Sequence, residues 1–119
     1  MKRILIVSTF AALAFLCGSQ AFAHAFLDHA SPRVGSTVQT APRELTLWFT
    51  EKLEPAFSTV QVTGPNGARV DRGKAQISGN TMRVGIKGAG PGTYSVHWHA
   101  LSVDTHTTQG SFTFHVGGS

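Results

Sequence analysis

Cysteine, methionine and charged residues are scarce in this 119-residue sequence. The single cysteine is Cys17, so the chain cannot form an internal disulfide and must be held together by its hydrophobic core. A lipoprotein interpretation of Cys17 is weak, because the bulky Leu16 stands where a small residue is expected. The two methionines, Met1 and Met82, are too few to form a cluster of thioether ligands for a soft metal ion.

Long apolar runs are also missing. The longest, residues 4–16, has about 13 residues, whereas a membrane-spanning helix needs about 20. It follows two basic residues and precedes Ala-Phe-Ala at residues 21–23, which is the pattern of a secretory signal peptide. We therefore predict that residues 1–23 are cleaved and that His24 becomes the N-terminus. Residues 24–119 are then expected to form one domain that does not insert into a membrane.

The charge of the chain gives little support for a nucleic-acid partner. Charged residues make up 13% of the sequence, and the net charge of +4 falls to +2 once Lys2 and Arg3 leave with the signal peptide. The remaining basic residues are scattered, apart from a loose cluster at 69–74 that we interpret as a solvated turn. We expect no binding to nucleic acid.

Short alternating segments dominate the rest of the chain. Apolar and polar residues alternate with a period of two, as in half-buried antiparallel strands, over residues 45–50, 59–63, 81–87, 94–100 and 111–116. Turn-forming residues separate these segments, and Gly-Pro-Asn-Gly at 64–67 predicts a hairpin turn. The pattern predicts an all-β fold, a Greek-key β-sandwich of immunoglobulin-like type or a cupredoxin-like barrel variant. Its core is expected to include Tyr94, Trp98, Phe112 and Phe114.

Histidine is the residue that the chain does have in quantity, with six in all. A histidine at a free N-terminus offers a metal ion two nitrogen ligands, its α-amine and its ring Nδ1, so His24 would gain this ability on cleavage. Asp104 and His106 are two residues apart, and in an extended segment their side chains would face the same side. Together, His24, Asp104 and His106 would supply three nitrogens and one oxygen, a set typical of Cu(II).

The other histidines are harder to assign. His97, His99 and His115 fall on the polar side of their strands and could lie near one another if those strands pair, although an exposed polar face is the simpler interpretation. His29 could assist the N-terminal site or could simply lie at the surface.

Three segments resemble the CopC family of periplasmic copper-binding proteins. The first is His24-Ala25-Phe26-Leu27 through Ser31-Pro32, and the second is Leu45-Thr46-Leu47-Trp48-Phe49-Thr50-Glu51. The third begins at Gly92-Thr93-Tyr94 and continues through Ser102-Val103-Asp104-Thr105-His106 to Gly110-Ser111-Phe112-Thr113-Phe114. They span almost all of residues 24–119 in the family's order. Thr105 stands where the family usually has glycine.

The resemblance implies a cysteine-free β-sandwich in the periplasm, with one Cu(II) per chain held by His24, Asp104 and His106. The implied function is copper storage, buffering or delivery to a CopD-like inner-membrane copper transporter, without enzymatic activity. Because Met82 stands alone, we do not expect the Met-rich Cu(I) site of some members. Two alternatives remain open. One is a copper-dependent oxidative enzyme with a terminal-histidine site, and the other is a β-sandwich interaction module that needs no metal.

Overall fold

Alternation of apolar and polar residues gives most of the strands one buried and one exposed face. The computed structural model describes residues 27–117, so the predicted signal peptide and His24 lie outside the described residues. The strands are β1 (Leu27–Ser31), β2 (Thr37–Val38), β3 (Glu44–Phe49), β4 (Thr59–Thr63), β5 (Asp71–Ser78), β6 (Thr81–Ile86), β7 (Gly92–Leu101) and β8 (Thr107–Val116). A short 3-10 helix, Pro55–Phe57, connects β3 to β4.

The strands form two four-stranded sheets. The first sheet has the order β1-β3-β6-β5, and the second has the order β2-β8-β7-β4. β2 pairs with β8 in parallel, whereas the other pairs of strands described for these sheets are antiparallel. β7 and β8 form a long regular ladder, from the pair Gly92 and Val116 to the pair Leu101 and Thr107. The predicted all-β sandwich is confirmed.

Aromatic rings from both sheets fill the space between them. Phe49 of the first sheet meets Trp98 of the second edge to face, with ring centroids 5.2 Å apart. Tyr94 and Phe114 stack on neighbouring strands of the second sheet, also at 5.2 Å. The four aromatic residues predicted for the core are all buried. Burial of these large rings contributes much of the stability of a domain that has no disulfide.

The turn at 64–67 forms as predicted, but its hairpin is very short. The amide of Gly67 donates to the carbonyl of Gly64, and Thr63 bridges to Arg69. The chain then passes into the other sheet at Asp71, so β4 and β5 do not form an extended pair. The interpretation of residues 69–74 as a turn is wrong for most of that segment, because β5 begins at Asp71 and bulges between Arg72 and Gln76. Within the described residues, no helix is long and apolar enough to cross a membrane.

Candidate metal centre

The loop between β7 and β8 is closed on itself by the buried Ser102. The amide of Ser102 donates to the carbonyl of His106 at 3.0 Å, and the amide of His106 donates to Ser102 Oγ at 3.1 Å. The amide of Thr105 donates to the carbonyl of Ser102 at 2.9 Å. These three bonds fix the short segment that carries Asp104 and His106, both of which remain exposed.

Asp104 and His106 come together in this loop, but not for the reason that the sequence suggested. An extended segment was expected, whereas the structure forms a turn with Thr105 in the left-handed region at φ 73°. The turn still places Asp104 Oδ1 3.3 Å from His106 Nδ1. A left-handed residue other than glycine is strained, which explains why glycine would suit position 105.

Glu51 joins these two side chains from a different part of the chain. One ligand atom each from Glu51, Asp104 and His106 lies within 4.8 Å of the others. Two backbone links hold the segment after β3 against the loop: Leu53 bridges to Ser102, and the amide of Val103 donates to the carbonyl of Lys52 at 3.0 Å.

Sequence reasoning did not identify Glu51 as a candidate ligand. It noted this residue only as the end of a strand motif that resembles the CopC family. Glu51 and Asp104 are far apart in the sequence, and no local spacing rule connects them. The one available signal was the acidic residue directly after an alternating, half-buried strand.

The Asp104 carboxylate is stabilised in its charged form. The Ser102 hydroxyl donates to Asp104 Oδ1 and is the largest influence that lowers the pKa of Asp104 below its ordinary value. Burial is the second-largest influence and raises this pKa, whereas a hydrogen bond with Glu51 and the charge and hydrogen bond of His106 lower it by smaller amounts. A carboxylate that stays ionised is ready to bind a cation.

Asp104 and His106 are open to solvent and Glu51 is half-buried, so an ion could reach the group from solvent. The side chain of His106 is 72% exposed and that of Asp104 is 53% exposed. Two carboxylates and one imidazole form an oxygen and nitrogen donor set, which suits a divalent ion such as Cu(II) or Zn(II) better than a soft ion. The structure thus brings together two of the three predicted ligands, and the third, His24, lies outside the described residues.

His29 has partners of its own. Its Nδ1 lies 2.7 Å from Asp28 Oδ2, and its ring stacks on Trp48 with centroids 4.3 Å apart and planes 9° apart. Among the described residues, His29 does not join the group of Glu51, Asp104 and His106.

The histidines of the second sheet are not brought together as a group of three. β7 and β8 do pair, but the register sets His97 opposite Ser111 and His115 opposite Thr93. His97 and His115 are therefore offset by four residues, or ~13 Å along the strands. His97 and His99 are exposed on the polar face of β7, and His115 is half-buried on the polar face of β8. Met82, by contrast, is fully buried in the core.

Comparisons with known proteins agree with this fold. The sequence matches the CopC domain over residues 27–117, which are also the residues that the structure describes. It is 37% identical over 99 residues to protein YobA of Escherichia coli K12, with 80% of each chain covered. It is 34% identical over 100 residues to the copper transport protein CutJ of Bacillus subtilis, covering 81% of this chain and 18% of the longer CutJ.

The fold is also similar to that of a solved structure. The crystal structure of PcoC, described as a methionine-rich copper resistance protein from Escherichia coli, superposes with a TM-score of 0.66 at 31% sequence identity. The superposition covers 79% of this chain and 99% of PcoC. Because the CopC domain match spans residues 27–117 and the two-sheet fold superposes on that of PcoC, the chain belongs to the CopC family.

Proposed function

We propose that this protein binds one Cu(II) ion through His24, Asp104 and His106 and holds it in the periplasm. The observation that carries the proposal is the convergence of Glu51, Asp104 and His106, whose ligand atoms lie within 4.8 Å of one another. Membership of the CopC family, whose named members act in copper resistance and copper transport, already makes the function of this chain a copper-related one.

The position of β1 supports a role for His24. β1 begins three residues after His24, and its first residue, Leu27, pairs with Phe49 in β3. Because the two strands are antiparallel, the chain before Leu27 leads toward the end of β3 that continues to Glu51. Three residues span up to ~10 Å, which is enough for a histidine at position 24 to reach the donors there.

Each donor has a distinct part in the proposed site. After cleavage behind Ala23, His24 contributes its α-amine and a ring nitrogen, and His106 contributes a third nitrogen. Asp104 contributes an oxygen, and Glu51 places a second negative charge beside the ion. Two carboxylates offset the charge of a divalent ion, and nitrogen donors of this kind favour Cu(II) among such ions.

The oxidation state follows from the ligand types. Cu(I) is a soft ion that prefers thioether or thiolate ligands. The one cysteine of the chain, Cys17, belongs to the predicted signal peptide, and the thioether of Met82 is buried in the core. This chain therefore differs from a protein described as methionine rich, such as PcoC, and we propose Cu(II) as its ion.

Storage, buffering or delivery fits this site better than catalysis. The names of the copper-related relatives describe transport and resistance and do not describe an enzyme. In CutJ the matching region is a minor part of a longer copper transport protein, which supports a membrane copper transporter of CopD-like type as the partner of this chain. Residues 1–23 would act as the cleaved export signal, and residues 24–119 as a single copper-binding domain.

A Cu(II) titration tests the proposal. We would titrate the protein that begins at His24 beside a version with one additional residue before His24. Tight one-to-one binding that the additional residue weakens sharply is the expected result, because the α-amine is then no longer placed to chelate. Equal binding by both versions would show that His24 is not a ligand. The absence of binding would favour the alternative of an interaction module that needs no metal. Oxidation of a polysaccharide by the copper-loaded protein with a reductant would support the enzyme instead.

A further inference from the structure

β7 presents two histidines side by side on the outer surface of the second sheet. His97 and His99 are two residues apart in a strand that is paired on both sides, with β4 and with β8, and neither ladder is interrupted there. Both side chains are exposed. In a regular strand, residues two apart point to the same face, with Cα atoms ~6.6 Å apart. From this separation, two imidazole rings can both bind one ion.

The residues that pair with these two histidines carry no charge. Gln61 and Ser111 flank His97, and Thr59 and Gln109 flank His99. In the described strands β4, β7 and β8, the residues that point outward on this face are threonine, serine, glutamine and histidine, with Leu101 at the end of β7. No carboxylate on these strands pairs with the imidazoles, and no lysine or arginine on them repels a cation.

His97 is already oriented by a hydrogen bond. Its Nδ1 lies 2.7 Å from Ser111 Oγ, across the β7–β8 pair. When Nδ1 carries the proton and donates it to Ser111, the lone pair of Nε2 is free for a metal ion. Histidines that bind metals almost always donate their other ring N–H in this way. Within the described part of the chain, His99 has no hydrogen bond or ion pair that would have to be broken.

We propose that His97 and His99 form a second metal site, one that binds a divalent late transition-metal ion on the outer face of β7. Cu(II) is the expected occupant, because it binds nitrogen ligands most strongly among the divalent first-row ions. Water completes its coordination. The amide oxygens of Gln61 and Gln109 are additional donors, since directly opposed side chains start only ~5 Å apart at Cβ.

This histidine-pair site is separate from the centre at Asp104 and His106. His99 is three residues, or ~10 Å, from Ser102 along the chain. The histidine pair offers two imidazoles without the α-amine and carboxylates of the other centre, so it is the weaker of the two and fills second. Its existence does not depend on His24, and either site can be absent without the other.

The test is a Cu(II) titration of the exported protein followed by NMR of the imidazole protons. Because Cu(II) is paramagnetic, it broadens the signals of the rings that it binds. The second equivalent is expected to broaden His97 and His99 before His115. In the variants His97→Gln and His99→Gln, the affinity for this second ion should fall on the order of 100-fold, since one half of the chelate is lost.

His115→Gln is the matched control. His115 lies on the same face and its Nδ1 is also bonded to a hydroxyl, that of Thr93, at 3.0 Å, but it has no histidine two residues away. The control should bind the second ion as the parent does. Broadening of His115 together with His97 and His99, or an unchanged second affinity in both variants, would overturn the proposal.

Ser111→Ala tests the orientation of His97. This variant should lower the affinity for the second ion ~10-fold, because His97 loses the hydrogen-bond acceptor that orients its ring. Thr93→Ala removes the equivalent partner of His115 and should have no effect. If the unsubstituted protein binds the first equivalent tightly but binds no second ion, only the histidine pair is disproved. If the first equivalent goes directly to His97 and His99, the centre with His24 is disproved and the pair is supported.

Discussion

Asp104 and His106 face each other across a residue in the left-handed conformation, with 3.3 Å between Asp104 Oδ1 and His106 Nδ1. The turn that creates this contact is closed by hydrogen bonds to Ser102, which is completely buried. The donors are exposed, but the backbone that carries them is anchored in the core. Such support limits the reorganisation that would oppose ion binding.

Replacement of Thr105 by glycine is expected to stabilise the metal-free protein. Relief of the left-handed strain raises the free energy of unfolding by about 1–2 kcal/mol. The greater conformational freedom of glycine in the unfolded chain offsets part of this gain. A net gain of about 0.5 kcal/mol corresponds to a rise in Tm of ~3 °C in thermal unfolding. Thr105→Ala is the control, because it loses the same hydroxyl and keeps the strain. A Tm for Thr105→Gly at or below that of Thr105→Ala would contradict the argument.

The sequence predicted the strands better than it predicted the site. Alternation identified β3, β4, β6, β7 and β8, because each has one face in the core. It missed the short strands β1 and β2, and it missed β5, whose bulge interrupts the period and whose residues are mostly exposed. Asp104 and His106 were predicted because they are two residues apart, although the segment forms a turn and is not extended. Glu51 was not, because only the tertiary contact between its segment and Val103 brings it near them.

Gly110 is required by the close packing of Trp98. A Cβ atom added at Gly110 would lie 2.6 Å from Trp98 Cζ2, well inside van der Waals contact. Gly110→Ala is therefore expected to destabilise the fold by about 1–3 kcal/mol, with a fall in Tm of roughly 5 °C or more. Gly88→Ala is a suitable control, because its Cβ would make an ordinary contact of 3.6 Å with Ala41. Similar Tm values for the two variants would show that Trp98 can move aside without cost.

Asp71 links the two sheets and should make stability depend on pH. Its Oδ1 accepts from the amide of Val62 at 3.0 Å and from Arg69 Nε at 2.7 Å. The Arg69 guanidinium is the main cause that lowers the pKa of Asp71 to about 2 from its ordinary value of 3.8. Because the folded-state pKa is the lower one, the stabilisation is complete above about pH 4 and is lost as the pH falls toward 2.

Asp71→Asn should therefore lower the free energy of unfolding at pH 7 by on the order of 1 kcal/mol, a value reduced by the exposure of Arg69. Urea unfolding at several pH values measures this difference. The gap between variant and parent should shrink below about pH 4 and be small near pH 2. Glu44→Gln on the exposed side of β3 should show no such pH-dependent gap. A gap for Asp71→Asn that stays constant with pH would assign its effect to packing and not to charge.

The three converging donors can be separated by substitutions that keep their shape. His106→Gln and Asp104→Asn each remove one proposed ligand, so each should weaken Cu(II) binding by more than about 100-fold. Glu51→Gln keeps the side-chain volume and removes only the charge that faces the ion, so a loss of about tenfold is expected. His115→Gln, on the outer face of β8, is the control and should bind the first Cu(II) like the parent.

Competition with a coloured Cu(II) chelator gives these affinities, and the EPR spectrum of each copper-loaded variant reports the ligands. If Glu51 acts through its charge alone, the EPR spectrum of Glu51→Gln should equal that of the parent, and the loss of affinity should become smaller as salt is added, because ions screen exposed charges. A changed spectrum would make Glu51 a direct ligand. Full affinity in both His106→Gln and Asp104→Asn would instead show that copper does not bind at this loop, despite the 3.3 Å approach of the two side chains.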